Sequence, residues 1–226
     1  MFASVDAYCE RTDASFWSEP VNAATNAAFV VAGVLLWQLI ARLRAAGTPH
    51  PASVRSLPWL LGLIGLASFL FHTLATVWAG LADTLSILLF GCVFLYAFLR
   101  HVAVVAGPIA LAGAGLFTLA SYFTPSFLPA GLLNQSGAYF PYVAGLLGIA
   151  AYLRWRRRPG WRWFLLGILI FCVSLTLRTI DAHVCSAWPL GTHFLWHVLN
   201  AIVLFVLSRE LVREACRPAV DRPAHG

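Results

Sequence analysis

Lysine is absent from this chain: its fifteen basic side chains are all arginine. Charge of either sign is scarce, at 11% of residues, where a soluble domain carries about 25%. Nine residues are acidic, and between Pro20 and Arg209 only Asp83 and Asp181 are. That scarcity excludes a water-soluble globular fold. The remaining composition agrees, with 60% of the 226 residues hydrophobic and a mean hydropathy of +0.79. Also missing is alternation over segments of about ten residues, the mark of a membrane β-strand. The apolar stretches run instead to about twenty residues, the length of a bilayer-crossing helix. The opening MFASVDAYCERTD has neither a basic n-region nor a short apolar core, so it is not expected to be a cleaved signal peptide.

The apolar stretches predict seven spans, at about residues 22–42, 57–77, 81–100, 102–121, 138–155, 162–182 and 192–210. The expected fold is all-α, one seven-helix membrane domain over residues 1–226, with residues 1–21 as an external acidic segment and 211–226 as a cytoplasmic tail. Without lysine, arginine alone carries the topology signal. Thirteen of the fifteen arginines, all but Arg11 and Arg178, fall on one side of this arrangement. The positive-inside rule makes that side cytoplasmic, so the N-terminus is expected outside and the C-terminus inside. The net charge of +6 has this topological explanation, and nothing points to nucleic acid. Arginine in place of lysine throughout fits a GC-rich bacterial genome, which puts the expected location in a bacterial inner membrane with the outer end periplasmic. Cys9 and Cys185 then both face an oxidising compartment and can pair. Cys92 and Cys172 read as small core residues within spans, and Cys216 as a reduced cytoplasmic thiol.

Against this apolar background a few polar side chains are out of place. Imidazole and carboxylate are costly in hydrocarbon and tend to face a partner, an ion or a wet cavity. His72 comes about fifteen residues into the second span, ~23 Å along it at 1.5 Å per residue. Asp83 falls in the first turn of the third span, and His193 and His197 in the first two turns of the seventh. All four reach the same outer third of the bilayer. His193 and His197, four apart, share one helix face. Three histidines beside a carboxylate are the parts of an open zinc site that activates water; axial haem ligation is the rival use of such histidines. Ser68 shares the face of His72 one turn deeper, and Asn200 continues the face of the histidine pair inward. Ser174, Arg178 and Asp181 form another inward stripe, with Arg178 and Asp181 expected to pair at i, i+3. The external segment gathers Asp6, Glu10, Asp13 and Glu19, followed by Asn22 and Asn26 on an inward face. Such hard oxygen ligands suit calcium, although an EF-hand spacing is lacking. Ser18 is the expected cap of the first helix, with Pro20 in its first turn.

Several of these segments together resemble the alkaline ceramidases. They are YCER at Tyr8–Arg11, SEPVNAATN at Ser18–Asn26, SFLFH at Ser68–His72 with Asp83 eleven residues on, and GTHFLWH at Gly191–His197. The wider superfamily of seven-helix membrane hydrolases includes the adiponectin receptors and the Per1 lipid-remodelling proteins. The resemblance covers both ends and the second and third helices; the middle helices match in hydrophobicity alone. It implies zinc held by His72, His193 and His197, with Ser68 and Asp83 lining the reacting water. It also implies calcium at Glu10, Glu19 and Asn22, with Asp6 and Asp13 as neighbouring acids, and a Cys9–Cys185 disulfide. Ala7 and Thr12 stand where the family has aspartate and asparagine.

The function so implied is hydrolysis of the amide bond of ceramide or a related N-acyl lipid, with Asp83 as proton acceptor and Ser68 assisting at the oxyanion. A Per1-like hydrolase of another lipid is the nearest alternative. A receptor of the adiponectin kind would carry a large soluble N-terminal region and the opposite topology. A transporter would show paired, Gly/Pro-broken inverted segments.

Overall fold

The computed structural model describes residues 1–129 and 132–215. The chain folds into helices α1 (Pro20–Thr25), α2 (Ala27–Ala45), α3 (Ala52–Leu74), α4 (Val77–Ala97), α5 (Gly107–Phe123), α6 (Phe140–Trp155), α7 (Trp161–Val184) and α8 (His193–Ala215). α1 and α2 form one continuous crossing, so seven stretches are long and apolar enough to span a membrane. All seven predicted spans are present. The fifth begins earlier than its apolar run, at Leu133, because an irregular 3₁₀ segment (Leu132–Tyr139) leads into α6. Left-handed backbone at Leu133, Asn134 and Gln135 bends the chain there. Cys216, Arg217, Arg222 and His225 lie outside the described residues.

Among the described residues the one strand-like pairing is a single bridge between Ser4 and Thr76. Val5 N–H donates to Ala75 O at 2.7 Å and Val77 N–H to Ala3 O at 3.1 Å, which lays the N-terminal segment across the α3–α4 turn. That turn is two residues long, Ala75 and Thr76, with Ala75 left-handed at φ 43°. So short a connection keeps the last turn of α3 and the first turns of α4 at one end of the bundle.

α8 and α3 are the most buried spans and pack against α7, α4 and α2. Van der Waals contact, rather than water exclusion, drives such packing in lipid, so close approach matters. At Gly33 a Cβ would sit 2.7 Å from Pro58 O, so only glycine lets α2 and α3 meet there. The fully buried apolar side chains, among them Leu36, Leu57, Leu61, Leu153, Phe164 and Leu211, fill the arginine-rich end. The opposite end, where the N-terminal segment lies, is hollow instead.

Two expectations need correction here. Cys172 is exposed on the bundle surface rather than in the core, because its side of α7 faces away from α6 and α8; Cys92 is half-buried. Ser18 is not the helix cap: its Oγ accepts from Thr12 N–H at 2.9 Å and Asp13 N–H at 3.1 Å, tightening the preceding loop. Glu10 caps α1 instead, its two carboxylate oxygens accepting from Val21 N–H at 2.7 Å and Asn22 N–H at 2.8 Å. A carboxylate at a helix start meets both the unpaired amides and the positive end of the dipole.

Candidate metal centre

His72 closes α3 and His193 opens α8, with His197 one turn further on. Their rings meet, with centroids 5.2 Å apart for His72–His193, 4.7 Å for His72–His197 and 4.6 Å for His193–His197. One ligand nitrogen from each lies within 4.8 Å of the other two, and all three residues are buried. The shared depth inferred from the sequence therefore becomes a shared point in space.

What fixes these rings is equally specific. His72 Nδ1 lies 2.6 Å from Glu19 Oε2. A carboxylate accepts only, so Nδ1 carries the proton and Nε2 is left as the ligand atom. Thr25 Oγ1 gives its one proton to the backbone, with Val21 O at 2.8 Å and Asn22 O at 3.1 Å. It can then only accept from His197 Nδ1 at 3.0 Å, which again leaves Nε2. His193 is held by its ring face, stacked on Tyr8 at 3.6 Å with an interplanar angle of 18°. Its Nδ1 is buried with no hydrogen-bond partner, and so is Asp83 Oδ1. Orphaned polar atoms of this kind, next to three imidazoles, fit a bound cation with a hydrated open position.

Glu19 is itself anchored. Arg11 Nε donates to its Oε1 at 2.5 Å and Asn22 Nδ2 to its Oε2 at 3.1 Å. Burial raises the Glu19 pKa; the hydrogen bond and charge of His72, with the bonds from Arg11 and Asn22, outweigh burial and hold it below the usual range. Arg11 continues to His72 O and Asp13 O, both at 3.0 Å, so one guanidinium ties the N-terminal segment to the end of α3. Burial also pushes the Tyr8 phenol up, with the Arg178 charge only partly offsetting it.

Asp181 performs a different task from the expected pairing with Arg178. Its Oδ1 accepts from Thr192 N–H at 2.6 Å and His193 N–H at 2.9 Å, and its Oδ2 from Cys9 N–H at 3.1 Å. Unpaired amides at the start of α8 claim the carboxylate, leaving none of it for the arginine one turn back. Gly191, left-handed at φ +66°, permits this: a Cβ there would collide with Asp181 Oδ1. The Cys9–Cys185 disulfide, with Cα atoms 5.1 Å apart, fastens the same junction covalently.

Two cavities converge on the histidines. One, of about 240 Å³, is walled mainly by apolar side chains such as Phe90, Phe94, Phe117 and Leu204, and includes Ser68 and Asn200. The other, of about 320 Å³, is walled by Tyr8, Thr84, Asn134, Gln135, Arg178 and His193 among others. Asp83 and His197 line both, which puts them at the junction. Ser68 and Asp83 both line the apolar cavity.

Buried imidazoles, a carboxylate with one bare oxygen and a largely apolar cavity thus meet at one place. A family model described as Ceramidase matches residues 3–215, nearly the whole chain. The chain belongs to the ceramidase family. No curated protein matches it closely. For a ceramidase, the apolar cavity and the polar antechamber correspond to a substrate with a long apolar tail and a polar head.

The acidic residues that the resemblance assigns to calcium are arranged otherwise in this ceramidase. Asp6 is exposed. Asp13 Oδ1 accepts from Ser15 N–H at 2.8 Å, and Ser15 holds its pKa below the usual range. Glu10 caps α1, and Glu19 and Asn22 belong to the arginine–histidine chain described above. Among the described residues the histidine trio is the only group of three or more His, Cys, Asp or Glu side chains whose ligand atoms converge. With the Arg11 cation already bonded to Glu19, the donor set does not fit a calcium cage. Periodicity could not reveal the roles of Arg11, Tyr8 and Asp181, which act through an irregular segment or on backbone amides, nor that of Thr25, whose hydroxyl meets a ring 172 positions away. The one sequence signal was the density of charge before Pro20.

Proposed function

We propose that this ceramidase is a zinc-dependent intramembrane hydrolase that cleaves the amide of ceramide, or of a closely related N-acyl lipid, to a fatty acid and a sphingoid amine. His72, His193 and His197 would hold the ion. When bound, it would supply Lewis acidity and bring the pKa of water from about 15.7 toward 7. Everything else falls to the chain. Glu19 and Thr25 keep two imidazoles in the tautomer that offers Nε2. The apolar cavity takes the acyl chain and excludes water from it, and the polar cavity admits water and seats the amine half. Asp83, at their junction, accepts the proton of the attacking water as the new C–O bond forms. It then delivers that proton to the nitrogen as the C–N bond breaks. Ser68, which hydrogen-bonds Asp83, would donate to the oxyanion that develops on the acyl carbonyl.

The observation that carries this reading is the unpartnered Asp83 Oδ1 beside three converging histidines, where an apolar and a polar cavity meet. We further propose that the histidine end faces outside and the arginine-rich end the cytoplasm, with the lipid entering sideways from the outer leaflet. Purified protein given a ceramide and an ester lipid of equal chain length tests the reaction. Release of sphingoid base from the ceramide is expected. Cleavage of the ester alone would replace amide hydrolysis with Per1-like ester chemistry.

A further inference from the structure

Among the described residues Arg178 makes no direct ion pair; the nearest opposite charge is the Asp83 carboxylate, which lines the same polar cavity. It lies within the seventh helix, α7, in a stretch apolar enough to cross the membrane. Such a residue is costly there and is ordinarily paired or facing a cavity. The ion pairs of the described residues join Arg11 to Glu19, Glu19 to His72, Arg158 to Glu214 and Arg213 to Glu210. Arg178 is in none of them, and Asp181 is spent on backbone amides. Neutral groups hold it, the Tyr8 phenol among them. Its Nη1 donates to Asn134 O at 2.6 Å and Ser136 Oγ at 3.1 Å. Its guanidinium carbon lies 5.6 Å from the Tyr139 ring centroid and 5.8 Å from that of Trp196. Its Nε is buried with no partner. The head lines the polar cavity together with Asp83, His193 and His197.

A fixed guanidinium with spare donors, braced by ring faces and beside the reacting atoms, is built to take an oxyanion. A ceramide head offers only hydroxyls there, which give neutral hydrogen bonds where an oxyanion would give the stronger charge-assisted kind. We propose that Arg178 selects an N-acyl lipid whose amine half carries an oxyanion close to the scissile amide, either a carboxylate or a phosphate. This rests on the amide-hydrolase reading above and narrows its substrate class.

The test compares kcat/KM for three lipids with one acyl chain: ceramide, an N-acyl amino acid and ceramide 1-phosphate. Wild-type protein should favour one of the two acidic lipids over ceramide by about tenfold or more, the scale of one charge-assisted bond. Which acid wins distinguishes carboxylate from phosphate. In Arg178→Gln the acidic-to-neutral ratio should fall to about one, and Arg178→Lys should keep part of it. A wild-type preference for ceramide would overturn the proposal without any variant. So would an unchanged ratio in Arg178→Gln, which would reduce Arg178 to a brace for residues 132–139. Failure to cleave any of the three would instead bring down the amide-hydrolase reading itself.

Discussion

Replacing Glu19 by Gln keeps the side chain's size and removes its charge. Three donors converge on that carboxylate: Arg11 Nε, His72 Nδ1 and Asn22 Nδ2. An amide offers one acceptor oxygen and turns two N–H groups toward the remaining donors. The Arg11 and Glu19 side chains are both 3% exposed, so the guanidinium would be left buried without its partner. Breaking a buried pair from one side costs about 3–5 kcal/mol. Loss of the group that orients a metal-bound imidazole costs about 10–100-fold in metal affinity, or about 1.4–2.7 kcal/mol. The two effects separate in a double variant. Arg11→Met with Glu19→Gln removes both charges and should recover most of the stability, while the zinc affinity stays low because His72 still lacks its carboxylate. Thermal unfolding in detergent reads the first quantity, and zinc competition against a chelator the second. Wild-type zinc affinity in Glu19→Gln would refute the argument that Glu19 sets the His72 tautomer.

Asp83→Asn should retain zinc and lose about 10²–10⁴-fold in turnover, the usual contribution of a positioned proton acceptor; normal ceramide hydrolysis would assign the base elsewhere. Cys9→Ser opens a covalent link between residues 176 apart and should cost about 2–5 kcal/mol, seen as a lower Tm that reductant does not lower further. A Tm equal to wild type would show that the Asp181 hydrogen bonds hold the segment alone. Cysteine placed at Asp13 should react with an impermeant thiol reagent applied from outside the membrane and cysteine at Arg156 should not; the reverse pattern would invert the proposed orientation.

Apolar run length was enough to find the crossings, because lipid leaves the backbone only helices or closed barrels and runs of about twenty residues suit helices alone. The fifth crossing began where hydropathy could not follow, in the bent segment around Asn134. The histidines were legible for a related reason. A polar group in a span needs a partner, and equal depth on α3, α4 and α8 identified candidate partners without any contact information. Their supports were hidden, because Glu19 reaches His72 from 53 positions away and Thr25 reaches His197 from 172. Local spacing misled at Arg178 and Asp181: three residues apart on one helix, they looked like a pair. The unsatisfied amides of Thr192 and His193 claimed the carboxylate first.

Metal content measured alongside turnover tests the central claim most directly. Purified protein should hold about one zinc per chain, release sphingoid base from an N-acyl lipid, and lose both on chelation or in His72→Ala, His193→Ala and His197→Ala. Undiminished amide hydrolysis by metal-free protein, or by any of those three variants, would contradict it.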